Sequence, residues 1–255
     1  MVEIKTDTEL DAMREAGRIV GRALQAVREH AATGVSLLEL DELAATVIAE
    51  AGAKPAFLGY LPGFAPTPFP GVICASVNDA IVHGIPTRHR LREGDLLSVD
   101  CGAHLDGWTG DAAISFGIGA TSPEDLALIE ATEQALAAGI AAAQPGNRIG
   151  DISHAIAQTA AQGGYGMPAD FGGHGIGRAM HEDPHVANHG RPGRGLVLRP
   201  GLALAIEPMF IAGGDGRYRI AADGWTMCTR DGSRAAHAEH TIAVTDSGPR
   251  LLTLP

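Results

Sequence analysis

Apolar residues recur at intervals of three and four from Leu10 onward, at Met13, Ala16, Ile19, Val20, Ala23, Leu24 and Val27. That spacing lines one face of an α-helix. Gly34 ends the pattern, and Ser36 with Glu39 has the separation of a capping box, so a second helix is expected to about Ala51. Residues 57–70 carry Gly59, Pro62, Gly63, Pro66, Pro68 and Pro70 and predict an irregular loop. Two β-patterned runs follow, 72–83 and 95–117, the second interrupted by Asp106-Gly107, a two-residue hairpin signal. The order then repeats. Ser122 as N-cap with Pro123 at the first helical position opens a helix to about Ala143, and Pro145 with Gly146 stops it. Asp151–Gln162 predicts a further helix, followed by β-patterned runs at 202–211, 217–220, 225–229 and 236–245. Two helices followed by strands, stated twice, predict an α+β fold with helices covering one face of a mostly antiparallel sheet. One domain over 1–255 is expected, in related halves of about 1–120 and 121–255.

A second duplication lies inside the first. His83 to Pro86, then Arg92, Gly94 and Asp100, is matched by His181 to Pro184, then Arg199, Gly201 and Glu207. In both copies the carboxylate comes six residues after the glycine, at the end of an apolar run. A period of this length is far too long for a solenoid and fits a duplicated half-domain. Each half delivers a histidine and a carboxylate, which suggests one composite site between them.

Composition narrows the function classes. The 255 residues are 45% apolar but only 4% aromatic, so the core must be mostly aliphatic, and the net charge of −11 argues against binding along a nucleic-acid backbone. Cys74, Cys101 and Cys228 are odd in number and far apart, which is no disulfide framework and predicts reduced thiols. No signal core or membrane-length apolar run is legible. A cytoplasmic protein is expected, monomeric for want of a readable apolar interface.

The hairpin carries the first chemistry. If Leu105 pairs with Trp108, Gly102 faces Asp111, and Asp100 points to the same face as a diagonal neighbour of Asp111. Two acids so close, if buried, would hold one proton between them unless a cation intervened; the alternative is a pair of solvated turn acids. Glu207 in LALAIEPMF and Glu239 in AHAEHTIAV also sit in apolar runs, where an unpaired carboxylate is costly. His174 and His181 lie seven residues apart among glycines. The simplest common partner for Asp100, Asp111, Glu207 and Glu239 is a pair of divalent cations with one histidine completing the shell. An oxygen-rich set without thiolate favours Mn, Fe(II) or Co, and two bridged ions make a hydrolase centre.

These residues carry a resemblance. SVNDAIVHGIP, the pair Asp100 and Asp111, GGHGIGRAMHEDP, AIEPMF and AEHTIAVT resemble the type I methionine aminopeptidases of bacterial type, which share the pita-bread fold with prolidase and aminopeptidase P. The likeness runs from about Thr6 to Leu252. It implies a dimetal hydrolase that removes the initiator methionine from nascent proteins whose second residue is small. It implies that Asp100 binds one metal, that His174 and Glu207 bind the other, and that Asp111 and Glu239 bridge them. Water would then attack the methionine carbonyl with Glu207 taking a proton, His181 steadying the oxyanion and His83 assisting the leaving amine. Tyr60, Phe64, Cys74, His83, His181 and Trp225 would form the substrate pocket. Its implied partners are N-termini of nascent chains near the ribosome, with neither nucleic acid nor membrane involved.

The resemblance is imperfect at two places, the long proline-rich loop between Gly59 and Cys74 and Met180, where an aromatic is expected. Tyr60, Phe64 and Trp225 also read as plain core packing. Cys74 reads as an apolar wall, with no accompanying nucleophile motif. Two rivals stand beside the main reading: a proline-directed peptidase of the same fold, and a binding protein that keeps the fold without the chemistry.

Overall fold

In the computed structural model, which describes residues 2–255, Thr6 and Glu9 cap each other's backbone and start α1 (Asp7–His30). Ser36 and Glu39 do the same for α2 (Leu37–Glu50), with Ser36 N donating to Glu39 at 2.7 Å. Ser122 Oγ accepts from Asp125 N at 3.1 Å at the start of α3 (Pro123–Ala142). α4 (Ile149–Gly163) begins two residues before the expected Asp151, because the Asp151 carboxylate reaches back to Arg148 N at 2.7 Å and draws the preceding residues into the first turn.

The first half contributes β1 (Lys54–Pro55), β2 (Ile73–Val77), β3 (Ala80–Val82), β4 (Leu96–Leu105) and β5 (Trp108–Gly117). The second contributes β6 (Gly172–Gly175), β7 (Glu182–Ala187), β8 (Ala203–Ile206), β9 (Met209–Ile211), β10 (Tyr218–Ile220), β11 (Met227–Thr229), β12 (Ala235–His237), β13 (Glu239–Thr245) and β14 (Gly248–Leu251). All the strand pairings are antiparallel. The main sheet runs β1-β4-β5-β13-β8-β6-β7, with β2 also on β4 and β14 on β13. Its centre reads β2-β4-β5 and then β13-β8-β6, so each half supplies three strands in mirrored order about the β5–β13 seam. The duplicated frame maps onto this symmetry. Gly94 and Gly201 both adopt left-handed φ, 79° and 93°, at the turns that feed β4 and β8.

Alternation along the strands separates core from site. Val99, Cys101 and Ala112 pack with Val20, Leu24, Leu40 and Ile48 of α1 and α2. Leu204, Ile242 and Val244 pack with Leu128, Leu136, Ile152 and Ile156 of α3 and α4. Leu40 is fully buried, and truncating such a leucine to alanine costs about 2 to 5 kcal/mol. Because β side chains alternate between faces, Asp100, Asp111, Thr241 and Glu239 project from the face opposite the helices. Close backbone approach makes this layering tight: a Cβ at Gly110 would lie 2.6 Å from Gly17 Cα, where α1 crosses β5.

Three expected strands are broken, among them 72–83, which divides at Asn78-Asp79 where Asn78 takes φ 58°. The run 202–211 divides at Glu207-Pro208, since proline has no N–H for a ladder, and 236–245 divides at Ala238. The outer pieces pair with each other, β12 on β9, as a separate two-stranded unit, and Ala238 N donates to Pro208 O at 3.2 Å across the bend. Glu207, His237 and Glu239 therefore stand at one paired kink. β6, rich in glycine, has no β pattern in sequence; a Cβ at Gly173 would lie 2.0 Å from Ala205 O on β8, so the residue's role is backbone approach.

Candidate active site

The hairpin register is the one expected, with Leu105 opposite Trp108 and Gly102 opposite Asp111. Ala113 then sits between Asp100 on β4 and Glu239 on β13, so both acids flank one residue of β5. Next along the seam, Thr241 pairs with Ala205, which also pairs with His174 of β6, and Glu207 follows Ile206 at the end of β8. Five strands thus bring four carboxylates and an imidazole together. Asp111 and Glu239 are almost wholly buried, at 3% and 1% exposure.

Beyond a bond between Asp100 and Asp111, these groups do not satisfy one another. Asp100 Oδ1, Asp111 Oδ1 and Glu239 Oε1 are buried without a hydrogen-bond partner, as is His237 Nε2. Burial pushes Asp100 up to about 7 and Glu207 up to about 8. Asp111 and Glu239 are raised well above the carboxylate range, first by burial and then by their neighbours' charge. Burial also pushes His174 down to about 3, with His181 adding to the shift. Orphaned oxygens, repelling acids and a neutral imidazole are the donor set that divalent cations satisfy.

Distances support the same fit. One donor atom each from Asp111, His174 and Glu239 lies within 4.8 Å of the others, and so does one each from Glu207, His237 and Glu239. His174 Nδ1 is bonded to Gly175 O at 2.8 Å; a carbonyl only accepts, so the proton is on Nδ1 and the Nε2 lone pair faces the acids. His174 Nε2 stands 3.8 Å from Asp111 Oδ2 and 3.7 Å from Glu207 Oε1. Asp100 falls in neither triad, though it and Asp111 perturb each other directly.

The acids form the floor of a cavity of about 330 Å³. All eleven residues singled out from the sequence line it: Tyr60, Phe64, Cys74, His83, Asp100, Asp111, His174, His181, Glu207, Trp225 and Glu239. Phe64 stacks on His83 with centroids 5.9 Å apart and meets Trp225 edge-on at 5.7 Å, so the proline-rich loop reaches the cavity. Trp225 is anchored by its indole N–H to Thr67 O at 3.0 Å. Met180 is buried and also lines the wall. Tyr60 OH lies 3.0 Å from His181 Nδ1 with the two rings stacked. His83 adopts φ 59°, is half-buried with its Nδ1 buried and unpartnered, and is held down to about 4 by desolvation and the nearby His237 and His181. Burial pushes the Cys74 thiol well up, so it presents an uncharged sulfur to the cavity.

Sequence reasoning missed His237, Phe69 and Phe171. His237 precedes Glu239 by two, so strand alternation alone would have put both on one face. Phe69, 5.0 Å from Trp225, was hidden in the irregular loop.

The model of metallopeptidase family M24 matches residues 11–246. Methionine aminopeptidase 1 of Mycobacterium tuberculosis is 55% identical over 253 residues, covering 96% of this chain and 92% of that protein. A methionine aminopeptidase of Clostridium acetobutylicum is 48% identical over 255 residues, covering 100% of this chain and 99% of that one. The crystal structure of methionine aminopeptidase from Thermotoga maritima superposes with a TM-score of 0.95 at 41% identity, with 100% of both chains covered.

Proposed function

Because this chain belongs to metallopeptidase family M24, we infer that it is an aminopeptidase releasing the initiator methionine from protein N-termini, and that its buried acids divide the work as follows. Asp100 would hold one of two divalent ions, His174 and Glu207 would hold the other, and Asp111 and Glu239 would be shared between them. Mn, Fe(II) or Co suits so oxygen-rich a set. When bound, such ions polarise the scissile carbonyl and make water nucleophilic near neutral pH.

The remaining chemistry belongs to the chain. Glu207, a carboxylate lining the cavity beside His174, would take a proton from the attacking water. Burial keeps His181 neutral. A Tyr60 OH that donates to His181 Nδ1 would keep the ring proton on Nε2, free to bond the oxyanion that develops on the methionine carbonyl. His83, neutral and with one nitrogen unpartnered, attends the leaving amine. Phe64, Trp225, Tyr60 and Cys74 give the thioether an apolar slot in which sulfur gains from aromatic contact. A slot of this volume beside the acids leaves a small second residue the easiest to accept.

The observation that carries this reading is one cavity with an acid-and-imidazole floor and an aromatic wall. No described helix is long and apolar enough to cross a membrane, and all three cysteines are free and buried. We propose that it acts as a cytoplasmic monomer on chains as they leave the ribosome. The test is reconstitution with Mn, Fe(II) or Co and incubation with Met-Gly-Met-Met and Leu-Gly-Met-Met. Methionine release from the first alone is expected; no release with any of the metals sinks the proposal. Cleavage of an X-Pro dipeptide instead would assign the site to a proline-directed peptidase.

A further inference from the structure

His237 ends β12 at the paired kink, 2% exposed, with its backbone held on both sides by Ser115: the N–H donates to Ser115 Oγ at 2.9 Å and the carbonyl accepts from it at 2.7 Å. The backbone that carries the ring is therefore held from behind. Its Nε2 is buried, has no hydrogen-bond partner, and stands 3.5 Å from Glu207 Oε2 and 3.9 Å from Glu239 Oε2. Those distances almost repeat the 3.7 and 3.8 Å that separate His174 Nε2 from Glu207 Oε1 and Asp111 Oδ2. All four exceed a normal N–H···O bond. They match the roughly 3 to 4 Å between two donors that each lie about 2.1 Å from one shared ion.

We infer that His237 is a metal ligand, completing with Glu207 and Glu239 a donor set opposite that of His174, so that each ion of the centre carries one imidazole. The inference rests on the two-ion reading above. Glu207 turns one oxygen toward each imidazole, Oε1 to His174 and Oε2 to His237, and in this inference it reaches both ions and not only the one it shares with His174. The ion that Asp100 holds would otherwise see oxygen alone. A nitrogen donor there shifts the preference of that position from Mn toward Fe(II) and Co.

X-ray absorption at the cobalt edge of protein loaded with two equivalents of Co(II) counts imidazoles through their outer-shell scattering. We expect about one imidazole per cobalt in the unaltered chain, against about one half if His174 is the sole imidazole ligand. His237→Ala and His174→Ala should each halve the signal, and His237→Ala should weaken one of the two cobalt affinities in calorimetry at least ~10-fold, more than it weakens the corresponding Mn affinity. One half in the unaltered chain, unchanged by His237→Ala while both ions remain bound, overturns the inference and leaves the two-ion aminopeptidase standing. Binding of a single cobalt ion would overturn the two-ion reading and the inference with it. The count on the unaltered chain needs no variant to fold, and His237→Gln, close in size, checks the affinity loss against mispacking.

Discussion

The Thr241 hydroxyl holds both backbone groups of Asp111: its Oγ1 accepts from Asp111 N at 3.0 Å and donates to Asp111 O at 2.7 Å. The β5–β13 ladder pairs Ala113 with Glu239 and Ala112 with His240 and goes no further. One side chain therefore stands in for a ladder rung next to a proposed bridging ligand. Thr241→Val keeps the shape and removes both bonds, leaving two buried backbone groups unmet at a cost of about 1 to 3 kcal/mol. The expected result is a lower melting temperature and weaker metal binding, with methionine release recovering at high metal concentration. Unchanged affinity in calorimetry would mean that Asp111 is held by its strand alone.

The ion-free protein should lose stability as pH rises through neutrality. Asp100 and Glu207 have folded values near 7 and 8, above those of an unfolded chain, so the folded state binds more protons and stability falls with rising pH up to about 8. His83 and His174 act with opposite sign, their folded values of about 4 and about 3 lying below the unfolded 6.5. The unfolded histidines finish titrating about a unit above 6.5, so from about pH 7.5 upward only the acids remain. Thermal melts in EDTA are expected to fall above that pH. Saturating Mn or Co should reverse the slope, because metal binding requires the carboxylates deprotonated. A rising melt in EDTA would contradict the burial of these acids.

How far the sequence reaches is clearest at the kink. The hairpin register placed Asp100 and Asp111 on one face because a two-residue turn leaves no freedom in the pairing that follows. The four helices were legible from apolar spacing and from their caps, displaced only where Asp151 capped from inside the first turn. His237 was missed although its place two before Glu239 in the run 236–245 was a readable signal; what that run did not show is the break at Ala238, which brings His237 and Glu239 to one kink with Glu207. β6 was illegible for another reason: its glycines are selected for close approach to β8, which leaves no hydrophobic pattern. The loop 57–70 reads as irregular and is so, yet its packing of Phe64 and Phe69 against Trp225 depends on tertiary contacts.

Tyr60 and His181 form a pair whose effect should appear in kcat. Replacing His181 with alanine removes the proposed oxyanion donor and should lower kcat by about 10²- to 10³-fold. Tyr60→Phe keeps the stacked ring and removes only the hydroxyl at 3.0 Å, so the His181 proton is free to move to Nδ1. A smaller loss is expected, about 10-fold for one hydrogen bond, with KM nearly unchanged. Steady-state kinetics on Met-Gly-Met-Met decides this. A change confined to KM would assign the pair to substrate binding.

Phe64 separates pocket function from folding. It is 53% exposed, so truncation removes little of the core, whereas Trp225 is 3% exposed and its truncation should cost about 3 to 5 kcal/mol. Phe64 nevertheless covers His83 and the edge of Trp225 at the cavity wall. If that wall receives the thioether, Phe64→Ala forfeits a sulfur–aromatic contact of about 0.3 to 1.5 kcal/mol, which corresponds to a rise in KM of roughly 2- to 12-fold. The melting temperature should stay within a degree or two. A norleucine-first peptide, which has the same length without the sulfur, should respond less to the substitution than its methionine counterpart. Equal responses would make Phe64 an apolar cover and assign recognition of the sulfur to the deeper walls, Cys74 and Trp225.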